Sequence, residues 1–158
     1  MDSTQFYEEG AYLEKHPTWH TEDSAWKAGH FTSILNKHGL VPSSVIEVGC
    51  GAGQILQHVK SALSGDVSFT GLEIAPQAYE MAVANNPGNV EFILGGFEKI
   101  GGRQFDLMIM ADVFEHVEDY YGFLKEAKPF ASEFLFHIPL DLSAQTVLRS
   151  ASLHRKRK

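Results

Sequence analysis

The stretch Val45-Ile46-Glu47-Val48-Gly49-Cys50-Gly51-Ala52-Gly53-Gln54, continued by Ile55-Leu56-Gln57-His58-Val59-Lys60-Ser61-Ala62-Leu63, decides the fold. A short β-branched apolar run leads into a glycine-dense turn, and the turn into apolar residues at helical spacing. That order reads as strand, tight turn, helix. Residues without a Cβ let the turn take positive φ and let a ligand approach the backbone. The following helix aims its unpaired N–H groups back at the turn. A ligand site is therefore expected at the carboxyl end of this strand, where open α/β sheets bind theirs.

Working outward, spacing narrows the ligand. A dinucleotide fingerprint reads G-x-G-x-x-G; here the run is Gly49-x-Gly51-x-Gly53, with Gln54 next. The following strand, Gly71-Leu72-Glu73-Ile74, closes on an acid 22 residues after Gly51. That distance suits a carboxylate accepting from two ribose hydroxyls. Together, Glu47-x-Gly49-x-Gly51-x-Gly53 and Glu73 resemble the class I S-adenosylmethionine-dependent methyltransferases, over about residues 45–139. Gln54 in place of a glycine speaks against a nicotinamide-dinucleotide oxidoreductase, which stands as a second alternative.

The chain of 158 residues has room for one domain with a real core. Hydrophobic residues make up 44% and charged residues 21%, a globular balance. The formal charge of −7 repels nucleic acid and anionic membrane at long range, so neither is expected as a partner. A single cysteine, Cys50, excludes an internal disulfide and suits a reducing compartment. Met1-Asp2-Ser3-Thr4 lacks the features of a signal peptide, and no apolar run is long enough to span a bilayer. A cytoplasmic location is the expectation. The terminal Arg155-Lys156-Arg157-Lys158 reads as a solvated tail rather than a nucleic-acid site.

The N-terminal segment carries Phe6, Tyr7, Tyr12 and Trp19 without clear periodicity, and Pro17 breaks any helix there. Thr21-Glu22-Asp23-Ser24 reads as a capped helix start, and Lys37-His38-Gly39 as that helix's end. Residues 1–40 are expected to form a helical cap segment on a Rossmann-like domain of residues 41–158. Further strands are expected at 67–73, 90–94, 105–111 and 133–138. The helices between them are signalled by Pro76 in a first turn and by Asp119 as a cap, with Tyr120, Phe123, Leu124 and Ala127 on one stripe. Ser143 reads as the start of a last helix. The alternation implies an α/β doubly wound, mostly parallel sheet. The resemblance implies strand order 3-2-1-4-5. The family adds two further strands, for which the chain stops too early; strand five then stays an open edge, a route to a homodimer, unless something covers it.

The resemblance also implies residue roles. Gly49 and Gly51, with Cys50 and Gly53 in the same loop, let the backbone meet the amino-acid and ribose parts of S-adenosyl-L-methionine. Glu47 reaches the methionine amino group, Glu73 holds the ribose diol, and Ile74 packs on adenine. Gly96, Phe97 and Glu98 border the adenine, and Ala111 and Asp112 lie beside the methionine and methyl. Asp112-Val113-Phe114-Glu115-His116-Val117 looks like the ubiquinone O-methyltransferase type, some of whose members bind a divalent ion there; no metal is assigned here. Glu115 and His116 read as capping a short turn at the pocket rim, with His116 the first catalytic candidate and His20 the second. Trp19 or Trp26 is placed to wall the sulfonium, since aromatic faces attract cations. The expected function is methyl transfer to a small-molecule acceptor, with oxygen favoured as the atom. The first alternative is a module that holds the cofactor without turnover.

Overall fold

The computed structural model describes residues 23–139 apart from residue 87. The aromatic N-terminal segment, His20, the Thr21-Glu22 part of the helix start, the helix expected from Ser143 and the basic tail lie outside the described residues. The elements are α1 (Ser24–His38), β1 (Ser44–Val48), α2 (Gln54–Ala62), β2 (Ser68–Glu73), α3 (Pro76–Ala84), β3 (Val90–Leu94), β4 (Phe105–Ala111), α4 (Tyr120–Ala127) and β5 (Ala131–His137). Single 3-10 turns stand at Phe97–Lys99, Phe114–His116 and Lys128–Phe130.

All five strands are parallel, in the order β3-β2-β1-β4-β5, as the resemblance implied. The chain starts in the middle of the sheet, winds outward to β3, and crosses back over β1 to β4. That reversal lies between β1 and β4, and it opens a crevice at their carboxyl ends. β1 and β4 are buried on both faces, which is why they read as near-continuous apolar runs.

Alternate strand residues feed two cores. Val45, Phe69, Leu107 and Ile109 pack with Leu56 and Val59 of α2 and with Ala28, Phe31 and Leu35 of α1. Ile46, Val48, Leu72, Met108 and Met110 pack with Phe97, Ile100 and Ala127 of α4. Helix α1 thus belongs to the same core as the sheet, one turn of it reaching the crevice.

Several local expectations need correction. Asp23 precedes α1 but makes no side-chain cap bond. Asp119 does cap α4, accepting from the Gly122 amide at 2.9 Å. Of the stripe expected on α4, only Ala127 is buried, and Tyr120 is exposed. Strand β5 starts at Ala131, two residues before the expected Glu133, because pairing with Phe105 extends it backward.

Gly71 in β2 marks the closest approach in the sheet. A Cβ there would stand 2.6 Å from Phe92 Cδ1 and 2.7 Å from Cys50 Sγ, with no side free to yield. Gly71→Ala is expected to lose about 1–3 kcal/mol of stability by overpacking. Urea unfolding checks this, and an unchanged midpoint would contradict the packing described.

Candidate cofactor site

The turn after β1 is held by β2. The Gly49 and Cys50 amides both donate to the Leu72 carbonyl, at 2.8 and 3.1 Å. Gly49, Gly51 and Gly53 have φ of +69°, +54° and +75°, a region L-residues avoid, which explains the triplet. Gly51 then donates its amide to Glu73 Oε2 at 2.8 Å, and Ala75 donates to Glu73 Oε1 at 2.8 Å. One carboxylate therefore fastens the loop after β1 to the loop after β2. Burial pushes the Glu73 carboxyl up, while the Ala75, Gly51 and Ile74 amides pull it back, and the balance stays raised.

Glu47, in β1 two residues before Gly49, is 1% exposed. Its Oε2 has no hydrogen-bond partner among the described residues. Burial raises its carboxyl well above the ordinary range; a bond from the Leu56 backbone opposes this, the Glu73 charge adds to it, and Lys27 opposes it again. A buried carboxylate oxygen without a donor is costly, and a ligand cation would satisfy it.

Both acids face a cavity of about 530 Å³ at the carboxyl ends of β1, β2 and β4, a volume suited to a small-molecule site. Gly49, Cys50 and Gly51 form its floor, and Ile74 stands beside Glu73 on its wall. Gly96, Phe97 and Glu98 line it after β3, and Ala111, Asp112 and His116 after β4. Gly53 does not line it. It caps α2 from behind the loop, where a Cβ would meet Phe92 Cζ at 2.7 Å. Its role is therefore to let the helix start close to β3.

Other expected residues are placed with more detail than the motif carries. Cys50 is buried, and burial, then the charges of Glu73 and Glu47, push its thiol up, away from the reactive thiolate. Phe97 is 5% exposed, its ring stacked on Phe130 at 5.6 Å and tilted against Phe123 at 5.2 Å. Most of that ring is core. Glu98 is exposed, and its Oε1 accepts from the Gly96 amide at 3.2 Å. Glu115 and His116 lie in the 3-10 turn Phe114–His116; His116 lines the cavity and Glu115, expected at its rim, does not. Among the described residues no group of three or more His, Cys, Asp or Glu is arranged to hold a metal ion.

Trp26 does not line the cavity, against expectation. It is 60% exposed and stands edge-on to His30, at 4.3 Å between ring centres, and to His137, at 5.8 Å. The neighbouring Lys27 points inward instead. Its Nζ donates to Asp112 Oδ2 at 2.6 Å, and His137 Nδ1 lies 2.6 Å from Asp112 Oδ1. Burial works against ionisation of Asp112, but the Lys27 and His137 bonds and charges outweigh it and hold the carboxyl below its usual range. Asp112 takes φ +56°, with its amide donating to the His137 carbonyl at 3.0 Å. Lys27 and His137 were not legible as site residues: 85 and 25 residues separate them from Asp112, and no local pattern joins them.

Comparisons with known proteins bear on the family and the fold. The family model described as a methyltransferase domain matches residues 46–131. No curated protein matches the chain. Among solved structures, the plantazolicin methyltransferase BpumL in complex with SAH is similar at a TM-score of 0.63 and 16% identity, over 96% of this chain and 61% of that one. The same enzyme with a triazolic desmethylPZN analog and SAH gives 0.61 and 20%, over 78% and 47%. A SAM-dependent methyltransferase from Aquifex aeolicus gives 0.54 and 23%, over 63% and 57%. At these identities the likeness is one of fold, and the chain spans about half the length of the plantazolicin enzyme. No helix among the described residues is long and apolar enough to cross a membrane. The matched span covers the glycine loop, both buried glutamates and the β4 rim; the chain belongs to the methyltransferase domain family.

Proposed function

We propose that this chain binds S-adenosyl-L-methionine in the crevice and transfers its methyl group. The observation that carries the proposal is the unpartnered, fully buried Glu47 Oε2 in the cavity wall. It asks for a cation, and the ammonium of the methionine part supplies one. Each Glu73 oxygen has spent one lone pair on a backbone amide and keeps another for a ribose hydroxyl. The cradle of Gly49 and Gly51 leaves the backbone open to the nucleoside, and Ile74 offers an apolar face to the base.

Bound there, the cofactor supplies a methyl group on a positively charged sulfur. The chain's own share is alignment and exclusion of water, which can lower a barrier by several kcal/mol. Asp112 and His116 line the same cavity, and on this reading they form its acceptor side. A small-molecule acceptor, with oxygen as the methylated atom, is the reading that Glu115-His116-Val117 supports. Because the plantazolicin methyltransferase BpumL is crystallised with a triazolic desmethylPZN analog, a radiolabelled transfer assay should include phenols and azole compounds. Binding without transfer to either, or to a cell extract, would favour a module that only holds cofactor.

S-adenosylhomocysteine at a hundred times its Kd is expected to stabilise the protein by about 2.7 kcal/mol, raising the melting midpoint by several degrees. Reduced nicotinamide dinucleotide should leave it unchanged. Glu73→Gln, which keeps one acceptor and loses the other, should weaken S-adenosylhomocysteine about tenfold or more in calorimetry. An unshifted melt with the wild type would contradict the proposal.

Glu47 adds a pH signature. Its folded-state value is raised, so its contribution to stability is fullest at or below the ordinary carboxylate range and is lost as pH rises through the folded value. A ligand ammonium reverses the shift, so binding should release protons and tighten as pH rises through that value. Glu47→Gln should raise the unliganded melting midpoint near neutral pH, weaken S-adenosylhomocysteine about tenfold, and abolish the proton release. Calorimetry in buffers of different ionisation enthalpy reads it; release persisting in the variant would contradict the assignment.

A further inference from the structure

His137 closes β5 as the register partner of Ala111, a residue of the cavity wall. It does not line the cavity itself. It meets Asp112, which does, and Trp26, which is exposed. Its Nδ1 stands 2.6 Å from Asp112 Oδ1, and its carbonyl accepts from the Asp112 amide at 3.0 Å. Lys27 holds the other Asp112 oxygen at 2.6 Å. The carboxylate is thus fixed on both oxygens, and Lys27 helps to keep it ionised. An ionised carboxylate only accepts, so the hydrogen in the His137 bond belongs to Nδ1. In the neutral ring Nε2 then carries a lone pair. No described residue bonds to that nitrogen, and a quarter of the side chain is exposed.

Methyl transfer to a hydroxyl leaves one proton to be taken away. We propose that His137, oriented by Asp112, is the base that takes it from a phenolic acceptor, and that the exposed Trp26 ring is the surface on which that acceptor lies. This rests on the methyl-transfer reading above and goes beyond it by naming the proton's destination and the acceptor class. A phenol is planar, which suits an exposed indole, and in neutral water it keeps its proton unless a base removes it. The acceptor oxygen forms a bond to the methyl carbon. The carbon–sulfur bond breaks, its electron pair stays on sulfur as a thioether, and the phenolic proton moves to Nε2. The imidazolium so formed faces the Asp112 carboxylate, which stabilises it. Beyond Asp112, the charged or titratable groups gathered at the ring are Lys27, on the far carboxylate oxygen, and His30, on the other side of the Trp26 contact.

The test is radiolabelled methyl transfer to two probes: phenol, which keeps its proton in mildly alkaline buffer, and para-nitrophenol, which has largely shed it. His137→Gln should lose about 100-fold or more of the wild-type rate with phenol and less than about threefold with para-nitrophenol. S-adenosylhomocysteine should still raise the variant's melting midpoint, which reports an intact fold. Nitrogen NMR of the wild type needs no variant. The neutral His137 ring should carry its hydrogen on Nδ1 and leave Nε2 bare, and the opposite tautomer overturns the inference. Equal loss with both phenols, no loss with either, or a selective loss arising in His116→Gln instead overturns it too. So does a wild type that binds S-adenosylhomocysteine yet methylates neither phenol, and there the cofactor reading stands. A wild type that does not bind S-adenosylhomocysteine overturns both.

Discussion

The Glu73 carboxylate is the constraint on which the rest depends. Two loops that follow different strands must be held together to make a crevice, and neither can do it with its own backbone. Glu73 accepts from Gly51 on one side and from Ala75 on the other, both at 2.8 Å. The Leu72 carbonyl, one residue earlier, closes the turn after β1. The end of β2 thus shapes the loop after β1, and the loop's positive φ angles follow from having to bring the Gly51 amide to that oxygen. The same carboxylate then faces the cavity with lone pairs left over, so the group that builds the site is also a group that would bind there.

This arrangement costs stability before any ligand arrives. Glu47 and Glu73 are both buried, both raised by that burial, and the Glu73 charge pushes Glu47 up further. A core of ordinary hydrophobic residues would be more stable at these positions. Lys27 offsets part of the repulsion at the Glu47 end. The remaining deficit is local to the cavity wall, where a ligand carrying a positive charge and hydroxyl groups would remove it. Stored electrostatic need of this kind separates a binding crevice from a mere gap between loops.

Most of the fold was legible because its signals are local. The glycine triplet demands a turn, the apolar run Phe105–Ala111 demands a strand buried on both faces, and Asp119 caps its helix as its side chain suggests. The strand order came from resemblance, and the sheet agrees with it. The loop and β2 side of the site was legible for the same reason, since its residues follow one another within a strand-turn-helix unit. Less legible was anything set by contacts across the sheet. Gly53 reads as loop yet serves packing against Phe92; Phe97 reads as a base contact yet has most of its ring in the core; Trp26 reads as a wall and stands outside while Lys27 turns in. The Lys27–Asp112–His137 group joins α1 to the ends of β4 and β5, and a spacing rule within one element cannot reveal it.

The most direct measurement is backbone amide chemical-shift mapping while S-adenosylhomocysteine is added. The largest changes are expected at Gly49–Gly51, at Glu73–Ala75 and at Gly96–Glu98, all at the carboxyl ends of the strands. Changes confined to the opposite end of the sheet, around Ser44, Ser68 and Gln104, where a second and shallower hollow lies, would contradict it, as would a spectrum that does not respond.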